Sequence, residues 1–311
     1  MSNLLLFFCY LLFSKKRSRF LFVYLLDFLY LCNTIPYQSD LFMKKYCLDL
    51  TVSAVEQVHA RYVLIRLTSD ERLPEMEPGQ FVEVRVDGSP TTFLRRPISI
   101  HFVDREHNEL WLLVAAIGDG TRRLAKLHAG DILNCVLPLG RSFAVPKAGE
   151  RRFLLVGGGV GVAPLLYQGA MLKKCHKDVE VTFLLGARTA ADLLQLDEFR
   201  KYGRVLVTTE DGSAGERGFV TQHSVLQQER FDMIQCCGPT PMMKAVVNYA
   251  QKEDVACQVS LENLMACGLG ACLCCVEKIR QIEADGTEAV HHVCVCKDGP
   301  IFNKEELLWT K

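Results

Sequence analysis

Between residues 45 and 146 apolar and polar residues alternate in short runs: DLTVSAVEQV, YVLIRLT, FVEVRV, LWLLVAAI and ILNCVLP. Turn-forming stretches, EPGQ, VDGSP and HAGD, separate them. Alternation with a period of two buries one face of each strand, and many short strands punctuated by turns predict an antiparallel barrel or sandwich. The pattern changes at Arg151. RFLLVGGGVGVAPLLYQGAML reads as an apolar strand, a glycine turn and the opening of a helix. EVTFLLGART, RVLVTTEDG and FDMIQCCGPTPMMKAVVNYA continue the theme of strand, turn and helix. Strands alternating with helices predict a parallel, doubly wound sheet. From about Val259 loops dominate. The expected organisation is a mixed fold: a β-barrel over 43–148, an α/β domain over 149–256 and a small cysteine-rich domain over 257–311.

Residues 1–42 fit none of these parts. LLLFFCYLLF (4–13) and FLFVYLLDFLYLC (20–32) are strongly apolar, but SKKRSR (14–19) divides them and Asp27 interrupts the second. Neither run reaches the ~20 residues that a spanning helix needs. A signal peptide would place its basic residues first and a small-residue cleavage site after the apolar run; neither arrangement is present. A membrane-surface hairpin, an atypical anchor and translated sequence upstream of a start at Met43 are the candidates. The expectation is that the folded chain begins at Met43 and is not held in a membrane.

Charge narrows the partners. Lys+Arg and Asp+Glu each number 36, so the net charge is zero and no basic excess points to nucleic acid. Cysteine narrows the compartment. Six of the 14 cysteines fall between Cys267 and Cys296, and the others are scattered, most of them in apolar runs. Scattered thiols of this kind suit a reducing cytoplasm better than a secreted disulfide framework.

Three stretches carry candidate chemistry. In GGGVGVAP, Gly159, Gly161 and Pro164 form G-x-G-x-x-P between a strand and a helix. Glycines there let the backbone approach a phosphate, and the free N–H groups of a helix start attract it. Proline fits the first helical turn, where no donor is required. In LRRPISI (94–100), a basic stretch between two apolar strands, Arg96 and Ser99 pair a guanidinium with a hydroxyl, a combination suited to a diphosphate. A regular strand would put them on opposite faces, so a bend at Pro97 is expected to aim both at one ligand. In AAIGDGTRRLAKL, Gly120 and Thr121 open a second glycine turn whose amides suit the same phosphates. The cysteine run follows. Cys267-x4-Cys272-x2-Cys275, with a distant fourth cysteine at Cys294 or Cys296, has the spacing of a plant-type 2Fe-2S site. Gly268 and Gly270 would let the chain curl so that amides face the cluster. Cys274, between two ligands, is expected to act as a small core residue, and His291 and His292 as exposed loop residues. A zinc site is the competing reading, though it would normally show two short C-x2-C knuckles.

Together, R-x-x-S, G-x-G-x-x-P and the CGP of residues 237–239 resemble the ferredoxin–NADP reductase superfamily over about residues 45–255. That resemblance implies FAD on the barrel, NAD on the sheet domain and the flavin ring between them. One departure stands out: the family usually has Tyr between the Arg and the Ser, and here Ile98 stands there. The run LENLMACGLGACLCCV, the later VCKDGPIF, RRPISI and GGGVGVAPLL closely resemble the electron-transfer subunits of bacterial dihydroorotate dehydrogenase B, across essentially all of residues 43–311. The family's cysteine before x-D-G-P maps onto Cys296, which makes the implied cluster ligands Cys267, Cys272, Cys275 and Cys296. The implied FAD positions are Arg96, Pro97, Ile98, Ser99, Leu113, Val114, Ala115, Gly120 and Thr121. The implied NAD positions are Gly157, Gly158, Gly159, Gly161, Pro164, Cys237, Gly238 and Pro239. Arg188 stands where it could approach a 2′-phosphate, but the resemblance favours NAD.

The resemblance further implies a relay within pyrimidine (UMP) biosynthesis. An FMN-containing catalytic subunit, in a heterotetramer with two copies of each chain, would oxidise dihydroorotate. Electrons would leave through the 2Fe-2S cluster and FAD of this chain to NAD+. No His/Asp or Lys constellation for substrate proton abstraction is visible, so no catalytic residue is expected here. Three alternatives accompany this reading. One is the flavin and iron–sulfur subunit of another NAD(P)H-linked oxidoreductase, of ferredoxin:NADP, sulfite reductase or hydrogenase type. The others are a membrane-anchored electron carrier and a zinc-stabilised binding module.

Overall fold

The computed structural model describes residues 44–309, so the reading of residues 1–42 and of a start at Met43 lies outside the described residues. Six antiparallel strands close a barrel in the order β1-β2-β5-β4-β3-β6. They are β1 (Tyr46–His59), β2 (Tyr62–Thr68), β3 (Phe81–Val84), β4 (Arg96–Asp104), β5 (Glu109–Ala115) and β6 (Ile132–Leu139). The alternation read from the sequence places Leu50, Val52, Val63, Ile65, Leu67, Val82, Val84 and Leu112 inside. Closure pairs every strand on both sides and removes exposed edges. The basic stretch LRRPISI is not an insertion between strands: most of it is β4. Its pairing with β3 runs unbroken from Val84↔Arg96 to Phe81↔Ser99, so the bend expected at Pro97 does not interrupt the ladder. A register shift comes later, between Ile100 and Phe102 against β5.

Beyond the barrel lies a seven-stranded sheet of order β10-β9-β8-β7-β11-β12-β15. Its strands are β7 (Arg152–Gly158), β8 (Glu180–Ala187), β9 (Arg204–Thr209), β10 (Glu216–Arg217), β11 (Met233–Cys237), β12 (Ala256–Ser260) and β15 (Ile301–Asn303). All are parallel except β15, which runs antiparallel to β12. β7 is buried along nearly its whole length because its sequence is a continuous apolar run, as a central parallel strand requires. The helices of the described chain are α1 (Asp119–Leu124), α2 (Ala163–Cys175), α3 (Leu196–Arg200), α4 (Val225–Gln228), α5 (Thr240–Lys252) and α6 (Val295–Asp298). α2 is apolar around most of its circumference and is buried between barrel and sheet. Its Tyr167 hydroxyl donates to the Met76 carbonyl at 2.9 Å.

The last part of the chain is not a separate body. The boundary expected between residues 256 and 257 falls inside β12, and β15 brings the chain back to the same sheet. Between them lie the cysteine loop, the hairpin β13 (Val276–Ile282) with β14 (Glu288–Cys294), and α6. A buried amide ladder fastens the return. Gln168 donates to Gln235 (2.7 Å), Gln235 to Gln258 (3.1 Å) and Gln258 to Asn303 on β15 (3.1 Å). The Gln235 amide also donates to the Ala144 carbonyl, in the link between barrel and sheet, at 3.0 Å.

Candidate functional site

Two cavities meet at the glycine turn that follows β7. The first, of about 230 Å³, is walled by the barrel (Phe81, Pro97, Ile98, Ser99, Leu113, Ala115), by Ile117 and Thr121, and by Val160 and Ala163. Its remaining wall is Ser260, Leu261, Glu262, Asn263, Met265 and Pro300. Mostly apolar walls with the Ser99 and Thr121 hydroxyls at the edge suit a flat ring system with a polar rim. Ile98 takes a place on this wall. Val114 does not, because it points into the barrel core. Arg96 lies at the margin rather than on the wall. A Cβ built on Gly120 would stand 2.9 Å from Arg96 Nε and 3.1 Å from Thr92 Cγ2, so only glycine lets the guanidinium stem lie against the start of α1. The neighbouring arginine has a different duty: Arg95 donates to the carbonyls of Glu83 (3.2 Å) and Asn134 (3.1 Å) and so braces the barrel.

The second cavity, of about 540 Å³, opens at the carboxyl ends of the sheet strands. It is lined by Gly158, Gly159, Gly186, Ala187, Arg188, Thr208, Glu210, Phe219, Pro239 and Met242, with Arg61 and Tyr62 from the barrel. This is where open α/β sheets bind ligands. Of the positions read as nucleotide-binding, Gly158, Gly159 and Pro239 are on the wall, whereas Gly157, Gly161, Pro164, Cys237 and Gly238 lie behind it. Those behind it shape the turn. Gly161 packs against Gly238, and Pro164 occupies the first turn of α2. The lining by Arg61 and Tyr62 was invisible in the sequence, since only the fold brings the first hairpin over the glycine turn.

The cysteine loop adjoins the first cavity, because Met265 on its wall lies two residues before Cys267. Gly268 and Gly270 take φ of +66° and +80°, the left-handed region that lets the chain curl. The curl turns amides onto sulfur: Leu269 N–H and Cys272 N–H donate to Cys267 Sγ at 3.3 and 3.4 Å, and Gly270 N–H donates to Cys296 Sγ at 3.1 Å. Cys296 N–H in turn donates to Cys275 Sγ at 3.4 Å. These donors favour thiolate. They hold Cys267 down to about 6, with the Leu269 amide the largest cause. Burial pushes Cys296 the other way. Cys294 Sγ lies 3.8 Å from the Gly270 carbonyl and also meets the Cys275 thiol, and the Cys294 N–H donates to Asp298 Oδ2 at 2.9 Å. Among the described residues no three His, Cys, Asp or Glu side chains gather as for a single ion. Beyond its four thiolates, a two-iron cluster asks for a loop of amides that compensates charge on the sulfurs, and the N–H groups of Leu269, Gly270 and Cys272 are such donors. Cys274, expected in the core, is exposed, because the run of adjacent cysteines turns it outward. His291 and His292 belong to β14; His291 pairs with Glu283 at 2.6 Å, and His292 is exposed.

Under the loop lies Glu83. It is fully buried, and neither of its carboxyl oxygens has a hydrogen bond among the described residues. A Cβ on Gly268 would stand 2.7 Å from Glu83 Cγ. Burial lifts its pKa to about 7 against the pull of Arg95.

A flavin-type barrel, a dinucleotide-type sheet and an iron–sulfur loop closing on the cavity between them define an NAD-linked flavin and iron–sulfur oxidoreductase of the ferredoxin-reductase build. Residues 155–248 match the oxidoreductase NAD-binding domain, and residues 262–308 match the iron–sulfur cluster binding domain of dihydroorotate dehydrogenase B. The chain is 40% identical over 234 residues to the dihydroorotate dehydrogenase B (NAD(+)) electron transfer subunit of Caldanaerobacter subterraneus subsp. tengcongensis, covering 75% of this chain and 87% of that one. It is 39% identical over 260 residues to the subunit of the same name from Bacillus velezensis, covering 83% and 97%. The chain belongs to this family of electron transfer subunits. Among solved structures it resembles an NADH-dependent reduced ferredoxin-NADP oxidoreductase, with 31% identity, a TM-score of 0.71 and coverage of 84% of this chain and 90% of that one.

Proposed function

We propose that this chain carries electrons from an FMN-containing dihydroorotate dehydrogenase catalytic subunit to NAD+, in a cytoplasmic complex with two copies of each chain. One observation carries the reading: the three sites stand in series and share walls. Leu261, Glu262, Asn263 and Met265 line the flavin cavity on the approach to Cys267, and the turn after β7 gives Gly158 and Gly159 to one cavity and Val160 and Ala163 to the other. When bound, FAD and a 2Fe-2S cluster supply the exchange between single electrons and a hydride.

The chain's own residues bind and shield. Arg96 and the Gly120–Thr121 turn would hold the flavin diphosphate, and Gly158 and Gly159 the dinucleotide. Cys267, Cys272, Cys275 and Cys296 would hold the cluster, their charge offset by the amides of Leu269, Gly270 and Cys272. Phe81, Leu113, Leu261, Met265 and Pro300 would keep water from the ring. Around the loop, Leu264, Leu269 and Leu273 are 81%, 48% and 64% exposed, an apolar rim suited to docking the catalytic subunit over the cysteines. Among the described residues no helix is long and apolar enough to cross a membrane.

The test is reconstitution. The isolated chain should reduce artificial acceptors with NADH and leave dihydroorotate untouched. Adding the FMN subunit should create dihydroorotate:NAD+ activity, and Cys267→Ser should abolish that coupled activity while sparing much of the NADH-linked reduction. Oxidation of dihydroorotate by the isolated chain, or coupling that survives Cys267→Ser, overturns the relay. Coupling to a larger iron–sulfur partner instead would make this a subunit of the ferredoxin:NADP type.

A further inference from the structure

The barrel reaches the nucleotide cavity through the tight turn between β1 and β2. The Gln57 amide shapes this turn by donating to the carbonyls of His59 and Tyr62. The Tyr62 hydroxyl stands 3.8 Å from where a Cβ on Gly159 would be, so the turn overhangs the glycines. The Arg61 carbonyl accepts the Ala116 N–H at 2.8 Å, and Tyr62 pairs with Ala115, which lines the flavin cavity. Arg61 therefore occupies a fixed backbone position beside both cavities.

Its side chain is held less firmly. Arg61 Nη2 lies 3.5 Å from Asp192 Oδ1, beyond a good hydrogen bond, and His59 Nε2 lies 3.7 Å from the same oxygen. Asp192 already accepts from the Thr189 hydroxyl at 3.0 Å, and the Arg61 side chain is 55% exposed. The cavity has one other arginine, Arg188. It follows β8, its carbonyl accepts the N–H of Asp211, and it lines the cavity with Glu210 beyond the strand ends. Only Arg61 comes from the turn that overhangs Gly159.

We propose that Arg61 is a positioning residue for the dinucleotide, its guanidinium leaving Asp192 for the pyrophosphate. The sheet domain would then supply backbone amides to the diphosphate and the barrel a charge, so that one ligand ties the two together. This rests on the reading of the cavity as the NAD site. A planar guanidinium can pair bidentately with a diphosphate, whereas its contact with Asp192 is a single long one of 3.5 Å. Asp192 competes with the ligand in this scheme, and the two residues affect binding with opposite signs.

The experiment titrates the full chain, carrying its flavin and cluster, with ADP-ribose and with adenosine, read by calorimetry. Arg61→Ala should weaken ADP-ribose binding about tenfold and leave adenosine binding as it was, since a charge-assisted hydrogen bond to the diphosphate is lost and nothing else. Arg61→Lys should recover part of the loss, and Asp192→Asn should tighten ADP-ribose binding. With NADH and an artificial acceptor, Arg61→Ala should raise KM more than it lowers kcat. An unchanged flavin spectrum shows that the variants fold. Equal losses for adenosine and ADP-ribose, or weaker binding in Asp192→Asn, overturn the proposal. Wild-type chain that binds neither NADH nor ADP-ribose overturns the nucleotide reading itself, and the proposal with it.

Discussion

Gly161 and Gly238 touch backbone to backbone: a Cβ on Gly161 would lie 2.4 Å from Gly238 Cα and 2.6 Å from the Cys237 carbonyl oxygen. The glycine turn after β7 and the turn after β11 are thus locked together, and no side chain can swing aside to make room. Gly161→Ala should cost about 1–3 kcal/mol, toward the upper end because backbone must move. Thermal unfolding and NADH titration check it: Tm and nucleotide affinity should fall together. A stable variant with reduced affinity alone would show that the glycine serves ligand contact and not the lock.

Cys296→Ser should lose the visible absorption of the cluster, whereas Cys294→Ser and Cys274→Ser should keep it. Cys296 Sγ is stitched to the loop by the Gly270 amide, while Cys274 is exposed. Absorption and acid-labile sulfide, measured on protein purified without oxygen, report the outcome. Loss at position 294 with retention at 296 would reassign the fourth ligand.

Stability should depend on pH through Glu83. Its ordinary pKa of 4.5 is raised to about 7 in the folded chain, chiefly by burial. Below 4.5 folded and unfolded chains both keep the proton; between 4.5 and about 7 only the folded chain does, so stability falls as pH rises across that window. At ~1.4 kcal/mol per pH unit the loss amounts to about 3 kcal/mol at most. Glu83→Gln carries no titrating proton. Relative to wild type, its Tm should therefore be several degrees more favourable at pH 8 than at pH 5. A constant difference across that range would mean that Glu83 titrates normally.

Gln235 stands in the middle of the amide ladder. Gln235→Leu keeps the volume but leaves Gln168, Gln258 and the Ala144 carbonyl each short of a partner. A cost of about 1–3 kcal/mol is expected in chemical denaturation. Because the ladder ends on β15, the variant should also exchange the amides of residues 301–303 faster. Protection there equal to wild type would show that β15 is held by its pairing with β12 alone.

Much of this was readable from residue patterns because the relevant contacts are local. Five barrel strands show as alternation and β7 as an apolar run. β4 was hidden because Arg95, Arg96 and Pro97 break the alternation at the point where the strand begins. β15 was hidden because three residues carry no period, and only its pairing to Val259 and its neighbours makes it a strand. Arg61, Tyr62 and Asp192 could not be placed at the nucleotide cavity, since the contact joins the first hairpin to a loop far along the chain. Cys274 was misplaced for a similar reason: its neighbours are cysteines, and which of them turns inward is decided by the loop's backbone.

The flavin cavity also sets an order of events in time. Its walls come from the barrel, from the turn after β7, from residues 260–265 and, last, from Pro300. A growing chain that has finished its barrel and most of its sheet still lacks a wall, so the cavity is not closed to water and oxygen until residues 260–265 have been made and β15 has docked. The same geometry gives a proteolytic cut between β12 and β15 a particular meaning. Such a cut would untie the wall that residues 260–265 and Pro300 supply from the sheet that holds it, and the cavity would stand open to oxygen on that side.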